Sequence, residues 1–431
     1  MLATLTNIFR VGDLRRKILF TLMMLVVFRI GTFVPVPNVN VELFQQNTNN
    51  LLGLLNTFSG GALANFSIFA MGIMPYITAS IIMQLLSMDV VPKLTQWARE
   101  GEVGRRKIAT VTRYATIGLG LIQSVGMTIG FNNMAPGLLN DTSVGSYALI
   151  ALTLTAGTAF MMWMGEQITE KGIGNGISIL IVAGIVAGIP TAITTLYTSQ
   201  FADPTQNIFF SILKIVLILL VILAIVVGVI FMQQGVRKIP VQYAKRVVGR
   251  KMFGGQSTHI PLKVNSAGVI PVIFAISLVM FPSTIAQFWV DPTGEGFANW
   301  IYNNFQVNAP LGMTLYAILI IGFTYFYTFV QINPVQMAEN MKKNGGYIPG
   351  IRPGKNTEVY ISRTLNRLTL AGALFLMAIS ILPFFFSTLA DLPQSIVIGG
   401  TSLLIVVGVS LDTMKQIESQ LIKRHYQGFF K

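Results

Sequence analysis

The distribution of basic residues constrains this chain more than any other feature. Every lysine and arginine except Arg29 and Lys214 lies in a terminal tail or in every second connection between apolar segments, and the alternate connections contain none. Because positively charged loops stay in the cytoplasm, this alternation predicts ten membrane-spanning helices with both termini cytoplasmic. The apolar segments lie at 18–34, 68–88, 114–131, 146–165, 176–197, 209–232, 266–288, 312–332, 369–390 and 395–411.

The composition agrees with a membrane protein. The chain is 53% hydrophobic and 11% charged, whereas a soluble domain carries about 25% charged residues. The basic residues near the N-terminus resemble the start of a signal peptide. The apolar run after them is too long, and no small-residue cleavage site follows, so we expect a retained first span. The sequence has no cysteine, which excludes a disulfide framework, a thiolate metal site and a thiol nucleophile.

Five predicted spans precede the connection near residue 198 and five follow it. An odd number of spans per half places the halves in opposite orientations, which permits an inverted repeat. The predicted fold is therefore an all-α polytopic membrane protein with two inverted five-helix halves, residues 1–197 and 198–431. The second half contains two large cytoplasmic loops, 233–265 and 333–368.

Ionisable groups are nearly absent from the predicted spans. Arg29 and Lys214 lie toward the outer ends of their spans, where long side chains can reach the interface. No aspartate, glutamate or histidine lies near mid-membrane, although ion-coupled carriers usually need such a group. The motifs of zinc proteases and phosphate-binding loops are also missing. The chain is therefore predicted to have no catalytic residues, metal or cofactor. A passive conduit, a secondary transporter for small solutes and a scaffold without a pore remain as alternatives.

Residues 51–88 raise a geometric problem. A single helix over this stretch would be roughly 57 Å long, whereas a bilayer core is about 30 Å thick. Its first half is rich in glycine, serine and asparagine, so it does not suit lipid. Irregular backbone at membrane depth is tolerated where it lines a cavity or is buried in protein. Either a re-entrant segment or an ordinary external loop precedes the second span.

Six stretches of the sequence resemble the SecY family, which forms the channel subunit of the bacterial protein translocase. They occur in the family's order along essentially the whole chain. The resemblance implies a channel that passes unfolded preproteins across the cytoplasmic membrane of a bacterium and releases hydrophobic segments sideways into lipid. The stretches are FRIGTFVPVPNV (28–39), FSGGALANFSIFAMGIMPYITASIIMQLL (58–86), GEQITEKGIGNGISI (165–179), QSTHIPLKVNSAGVIP (256–271), PGIRPG (349–354) and GGTSLLIVVGV (399–409).

The resemblance implies a plug and a pore ring. The plug is a re-entrant half-helix in the channel mouth, and the second span then begins near Ser67. The ring is a constriction of aliphatic side chains that blocks ions by excluding water. The ring positions are Ile73, Ile77, Ile177, Ile181, Ile273 and Ile405, and the plug residues are Thr57, Phe58, Ser59, Gly60, Gly61, Ala62, Leu63, Ala64, Asn65 and Phe66.

The resemblance also implies a lateral gate between the second span and the seventh and eighth, with the third nearby. Pro75 and Pro271 lie inside or at the start of gate spans, where proline weakens the backbone hydrogen bonding and eases bending. Gln84 and Gln123 are polar groups that could hydrogen-bond across the closed gate, at about 1 kcal/mol.

The two large basic loops suit phosphates and acidic protein surfaces. By resemblance they bind the ribosome and the motor ATPase SecA, with Arg352 as the main contact. The small membrane subunits SecE and SecG are the implied partners in the bilayer, and preproteins with their signal peptides are the implied substrates. The other predicted contacts are Arg237, Lys238, Lys245 and Arg246.

Overall fold

The computed structural model is predominantly helical. It describes residues 11–41, 59–88, 90–134, 137–201, 208–243, 246–248, 251–253, 257–286, 289, 296–307, 309–389 and 400–427.

Every predicted apolar segment overlaps a helix, because long apolar runs satisfy their backbone groups internally only as helices. Three short helices, α3, α9 and α11, lie in connections. The helices are α1 Gly12–Gly31, α2 Met74–Leu86, α3 Pro92–Arg99, α4 Glu102–Met134, α5 Val144–Lys171, α6 Gly176–Phe201, α7 Ile208–Gln234, α8 Ile270–Ala286, α9 Phe297–Asn304, α10 Pro310–Gln331, α11 Pro334–Lys343, α12 Lys355–Leu389 and α13 Gly400–Gln427.

Six stretches of the described residues are long and apolar enough to cross a membrane, judged by length and composition. They fall on α4, α5, α6, α7, α10 with α11, and α12. Two shorter apolar helices, Met74–Leu86 and Ile270–Ser283, lie where the second and seventh spans are predicted. Helices α1 and α13 coincide with the first and tenth predicted segments, but α1 carries charged residues near both ends and α13 carries them in its C-terminal half.

Helix α2 begins later than the sequence predicted. Residues 67–73 form turns, and the helix starts at Met74 with Pro75 in its first turn. Gly72 has a φ of 59°, a left-handed conformation that interrupts a right-handed helix. The expectation of a span beginning near Ser67 was therefore wrong by about two helical turns.

A β-sheet occupies the first large loop, so the prediction of an all-α fold was incomplete. Strands β1 Val236–Tyr243 and β4 Ser257–Lys263 pair antiparallel, and β5 Gly346–Tyr347 from the second large loop pairs with β1. A smaller antiparallel pair joins β2 Arg246–Val248 and β3 Lys251–Phe253. On β1, Ile239 and Val241 are buried while Pro240 and Gln242 are exposed, the alternation expected of a sheet with one covered face.

The N-terminal and C-terminal helices meet along two seams. At one seam α8 packs against α2 and α4, and at the other α6 packs against α7 and α13. The largest core cluster includes buried residues from all of these helices except α4. The predicted boundary between the halves falls within the last turn of α6, which ends at Phe201. The division into halves stays a prediction.

Candidate pore

The six predicted ring isoleucines come from four helices and one adjoining turn. Ile73 is the residue that caps the N-terminus of α2, and Ile77 lies one turn further on. Ile177 and Ile181 repeat this spacing at the start of α6, which brings both onto one helix face. Ile273 lies in the first turn of α8, and Ile405 lies in the second turn of α13.

The structure brings all six isoleucines into one apolar cluster. Five of them are buried, and Ile405 is 0% exposed. Ile177 is half-buried and packs against the same cluster. Deep burial of aliphatic side chains from both seams excludes water from this level of the molecule.

A small cavity of about 70 Å³ lies on one side of this cluster. Four of the six isoleucines line it, and Ser59 and Leu63 line it from the segment before α2. Its wall is mostly apolar, and its volume would hold only about two water molecules at liquid density. The four isoleucines are Ile73, Ile77, Ile181 and Ile273.

A larger, polar cavity of about 550 Å³ lies on the other side. Amide, hydroxyl and charged side chains form much of its wall. They include Asn175, Ser178, Gln233, Asn265, Gln331, Asp412, Lys415 and Gln416.

The order of residues along three helices places the isoleucines next to this polar cavity. On α6, Ser178 lines the polar cavity and Ile181 lines the small one. On α8, Ile270 lines the polar cavity and Ile273 lines the small one. Asp412 on α13 also lines the polar cavity, and Ile405 lies two turns before it. In the order of residues along these helices, the isoleucine cluster therefore lies between the polar cavity and the small one.

The segment between residues 59 and 68 closes the small cavity. Its described residues form turns and not a continuous α-helix. Backbone hydrogen bonds fix its end, since Val36 donates to the carbonyl of Phe66 and Ile68 donates to that of Val34, both at 3.0 Å. Thr57 and Phe58, the first two predicted plug residues, lie outside the described residues. Within the segment, Ala62, Leu63 and Phe66 are buried, whereas Ala64 and Asn65 are half-buried.

Two adjacent glycines in this segment differ in their surroundings. Gly60 and Gly61 both have positive φ, 70° and 85°. A Cβ atom on Gly60 would lie 2.9 Å from the Cα of Gly184 on α6 and 3.2 Å from the ring of Phe28 on α1. A Cβ atom on Gly61 would meet nothing within 4 Å. Gly60 is therefore the point at which the segment is held closely between two helices.

The predicted gate prolines lie where α2 and α8 begin. Pro75 is in the first turn of α2, and Pro271 is the second residue of α8. Ser277 of α8 and the sulfur of Met74 are 3.9 Å apart across this seam. This contact could not be predicted from the sequence, because neither residue stands out from the apolar runs around it.

The gate glutamines do not bond across this seam in the described structure. Gln84 donates to the hydroxyl of Ser80 on its own helix at 3.4 Å. Gln123 lines the small cavity from α4. The suggested hydrogen bonds across the closed gate therefore have no support here, since the side chain of Gln84 is satisfied locally.

The basic loops form one sheet-and-loop unit. Arg237 and Lys238 are exposed on β1. Arg352 is exposed in a turn between Gly350 and Gly354, whose φ values are 82° and 107°. Its carbonyl accepts a hydrogen bond from the Thr357 hydroxyl at 3.0 Å. The apolar cluster beneath this unit contains Ile239, Val241, Leu262, Ile348 and Ile351.

Two further predicted contacts cannot be assessed at the level of side chains. Lys245 lies outside the described residues, and Arg246 is described only as the first residue of strand β2. Within the described part of the chain, no cluster of histidine, aspartate or glutamate has the geometry of a metal site.

The fold and this site define a helical protein with several membrane-spanning helices and a buried apolar cluster between two cavities. The family model described as SecY matches residues 67–414. The chain is 64% identical over 432 residues to the protein translocase subunit SecY of Halalkalibacterium halodurans, with 100% of both chains covered. The chain therefore belongs to the SecY family.

Solved structures agree with this fold. One, described as showing that the plug domain of SecY stabilises the closed translocation channel and maintains a membrane seal, has a TM-score of 0.61 at 18% identity. It covers 95% of this chain and 92% of that one. Another, an idle yeast Ssh1 complex bound to the 80S ribosome, has a TM-score of 0.63 at 15% identity and covers 96% and 90%. At these identities the likeness supports the fold alone.

Proposed function

We propose that this protein is the channel subunit of a bacterial protein translocase, with the isoleucine cluster as the constriction of its pore. The observation that carries the proposal is the position of that cluster between a small apolar cavity and a large polar one. The relative from Halalkalibacterium halodurans is a translocase subunit that matches this chain over the whole of both chains, which supports the same activity for this chain.

The proposed orientation follows the basic residues. Ten helices span the membrane, both termini are cytoplasmic, and the polar cavity opens to the cytoplasm below the sheet-and-loop unit. The segment around residues 57–66 then lies on the outer side of the constriction. The protein is accordingly a multi-pass protein of the bacterial plasma membrane.

The proposed transport of polypeptide requires that the water-free zone at the isoleucine cluster be short. Aliphatic side chains exclude water and ions, and they offer no hydrogen bonds that would favour one passing side chain over another. A translocating backbone loses several kcal/mol for each polar group left unsatisfied in an apolar environment. A constriction one or two residues thick keeps that cost small. The plug segment, residues 57–66, adds a second seal outside it when no substrate is present.

The lateral exit is proposed at the seam where α8 packs against α2 and α4. The structure places Pro75 and Pro271 in the first turns of α2 and α8, where a backbone N–H has no partner within the helix, so the expected weakening of these helices by proline does not apply. Few polar contacts between described residues cross the seam, and the one between Ser277 and Met74 is an example. Separation of these helices therefore breaks few hydrogen bonds. Hydrophobic segments of the substrate would leave through this seam into lipid.

Energy for transport comes from partners, which we propose to bind the sheet-and-loop unit. Exposed basic residues at Arg237, Lys238 and Arg352 suit ribosomal RNA and acidic protein surfaces. Structural neighbours with the same fold include ribosome-bound channel complexes, which supports a ribosome as one partner. SecA is the proposed motor, and SecE and SecG are the proposed membrane subunits.

Deletion of residues 57–66 tests the proposed function. The variant should fold, because most of the large core cluster lies outside this segment. Its ion conductance in proteoliposomes under a membrane potential should rise by about tenfold or more, the effect of losing about 1.4 kcal/mol of closed-state stability. Preproteins with defective signal sequences should also cross more readily.

The control is the intact protein in the same vesicles, with protein insertion measured in both. A deletion variant that inserts normally and holds ions as tightly as the intact protein would contradict the plug assignment. A protein that transports a small solute down a coupled ion gradient would instead support the alternative of a secondary transporter.

A further inference from the structure

We propose that Arg29 holds the plug segment closed, and that this residue sets how readily the channel opens for weak signal sequences. The inference rests on the proposed role of residues 57–66 as a plug. It concerns a positioning residue, because Arg29 acts on the plug and does not contact the constriction.

The guanidinium of Arg29 binds the plug backbone directly. Its Nη1 atom donates a hydrogen bond to the carbonyl oxygen of Gly60 at 2.8 Å. The side chain lies in the last turn of α1, and its Cζ atom is 4.7 Å from the centre of the Phe33 ring. Among the described residues, no carboxylate lies within ion-pair distance of this guanidinium. A backbone carbonyl of the plug is therefore its polar partner within the described structure.

The residue that Arg29 binds is also closely packed against two helices. Gly60 lies between Phe28 on α1 and Gly184 on α6, with no room for a Cβ atom. Ser59, its neighbour, is buried, lines the small cavity and accepts a hydrogen bond from the backbone of Leu63 at 3.1 Å. A bond to Gly60 therefore fixes the part of the segment that closes the cavity.

The end of α1 contacts the other end of the segment as well. The side-chain amide of Asn65 donates a hydrogen bond to the backbone carbonyl of Thr32 at 3.3 Å. The Thr32 hydroxyl donates to the backbone carbonyl of Arg29 at 2.7 Å. The Phe66 end is further held by backbone bonds to residues 34–36. These bonds do not involve the Arg29 side chain, so we expect its loss to free the Gly60 end while the Phe66 end stays attached.

The charge and exposure of Arg29 make this contact reversible. A hydrogen bond from a charged donor is stronger than a neutral one, which favours the closed position. Arg29 as a residue is exposed, so water or lipid headgroups can replace the carbonyl when a substrate displaces the segment. A guanidinium without a carboxylate partner loses little on release, because no buried charge is left behind.

The test compares Arg29→Met with Lys214→Met, each in the full-length chain and in the chain lacking residues 57–66. Lys214 is the matched control, since it is the other basic residue within a predicted span and is exposed on α7. Ion conductance of proteoliposomes under a membrane potential is the readout, with insertion and thermal unfolding measured for every variant.

In the full-length chain, Arg29→Met should raise the conductance by about tenfold, as expected for losing one hydrogen bond from a charged donor. Lys214→Met should leave it unchanged. In the deletion chain, Arg29→Met should add nothing, because the Gly60 carbonyl is absent. Arg29→Lys, which keeps a charged donor, should show a conductance between those of the intact protein and the Arg29→Met variant.

Three results distinguish a failure of the proposed role of Arg29 from a failure of the proposed plug. A leaking deletion chain together with a tight Arg29→Met variant would overturn the role of Arg29 alone. A further rise on adding Arg29→Met to the deletion chain would also overturn it, since Arg29 would then act elsewhere. A deletion chain that does not leak would instead contradict the proposed plug itself.

Discussion

The two sides of the isoleucine cluster are built differently. The small cavity is apolar, and residues 59–68 are held against it by backbone hydrogen bonds and by a close contact at Gly60. The polar cavity is several times larger and lined by amides and charges, next to a sheet that presents basic residues. The side of the small cavity is suited to closing, and the side of the polar cavity is suited to binding.

This difference implies that substitutions can impair closure of the channel and binding of partners separately. Changes on the outer side or at the constriction should raise leakage without weakening the binding of partners. Changes on the basic unit should stop transport without affecting the seal. Three pairs of substitutions would show whether leakage and partner binding can be changed independently.

The largest effect is expected for Arg352→Glu. Reversal of an exposed charge on a turn fixed by two glycines of positive φ should repel an acidic partner surface, and SecA-driven export should fall by about tenfold or more. Ion conductance of the idle channel should stay at the level of the intact protein. Lys171→Glu, the same charge reversal at an exposed position at the end of α5 and outside the sheet-and-loop unit, is the control. Normal export by the Arg352 variant would argue against a docking role.

A smaller effect, on leakage alone, is expected for Ile405→Gly. Removing a side chain that is 0% exposed opens the constriction, so the conductance should rise by about tenfold, equivalent to about 1.4 kcal/mol. Leu404→Gly is the control, because Leu404 is equally buried and points about 100° away around α13. Both variants lose a similar amount of packing. Equal leakage from the two would show that lost stability, and not a lost ring residue, opens the channel.

The smallest effect is expected for Gly60→Ala compared with Gly61→Ala. Both positions have positive φ, so the backbone strain of about 1–2 kcal/mol is similar. Only the Gly60 variant also pushes against Gly184, which should displace the plug and raise the conductance a few-fold above that of the Gly61 variant. Vesicle conductance measures the difference. If the Gly61 variant leaks as much, the close contact at Gly60 does not contribute to the seal.

Hydropathy predicted where the helices lie, because a long apolar run is a local property of the sequence. Each predicted segment overlaps a helix. The start of α2 was predicted wrongly because hydropathy does not report backbone conformation. Gly72 adopts a φ of 59°, which interrupts a right-handed helix. The carbonyl of Ile68 also lies so close to Gly157 on α5 that no side chain would fit at Gly157.

The sheet was missed because its signal in the sequence is weak. Buried and exposed positions alternate over only part of residues 236–243. Strand β5 comes from a connection about a hundred residues away along the chain. The grouping of the isoleucines was predicted from resemblance, since no property of a single isoleucine marks it. The contact of Arg29 with Gly60 could not be predicted, because it depends on the path of the plug segment.

The central claim is that the constriction at Ile405 is dry and separates two compartments. The chain has no cysteine, so single cysteines at Gln416, Ile405 and Asp141 can be tested with a membrane-impermeant maleimide added to one side of the membrane. In the idle channel, the cysteine at Gln416 should react only from the cytoplasmic side and the cysteine at Asp141 only from the outside. The cysteine at Ile405 should react from neither side. Reaction at Ile405 as fast as at Gln416 would contradict the account.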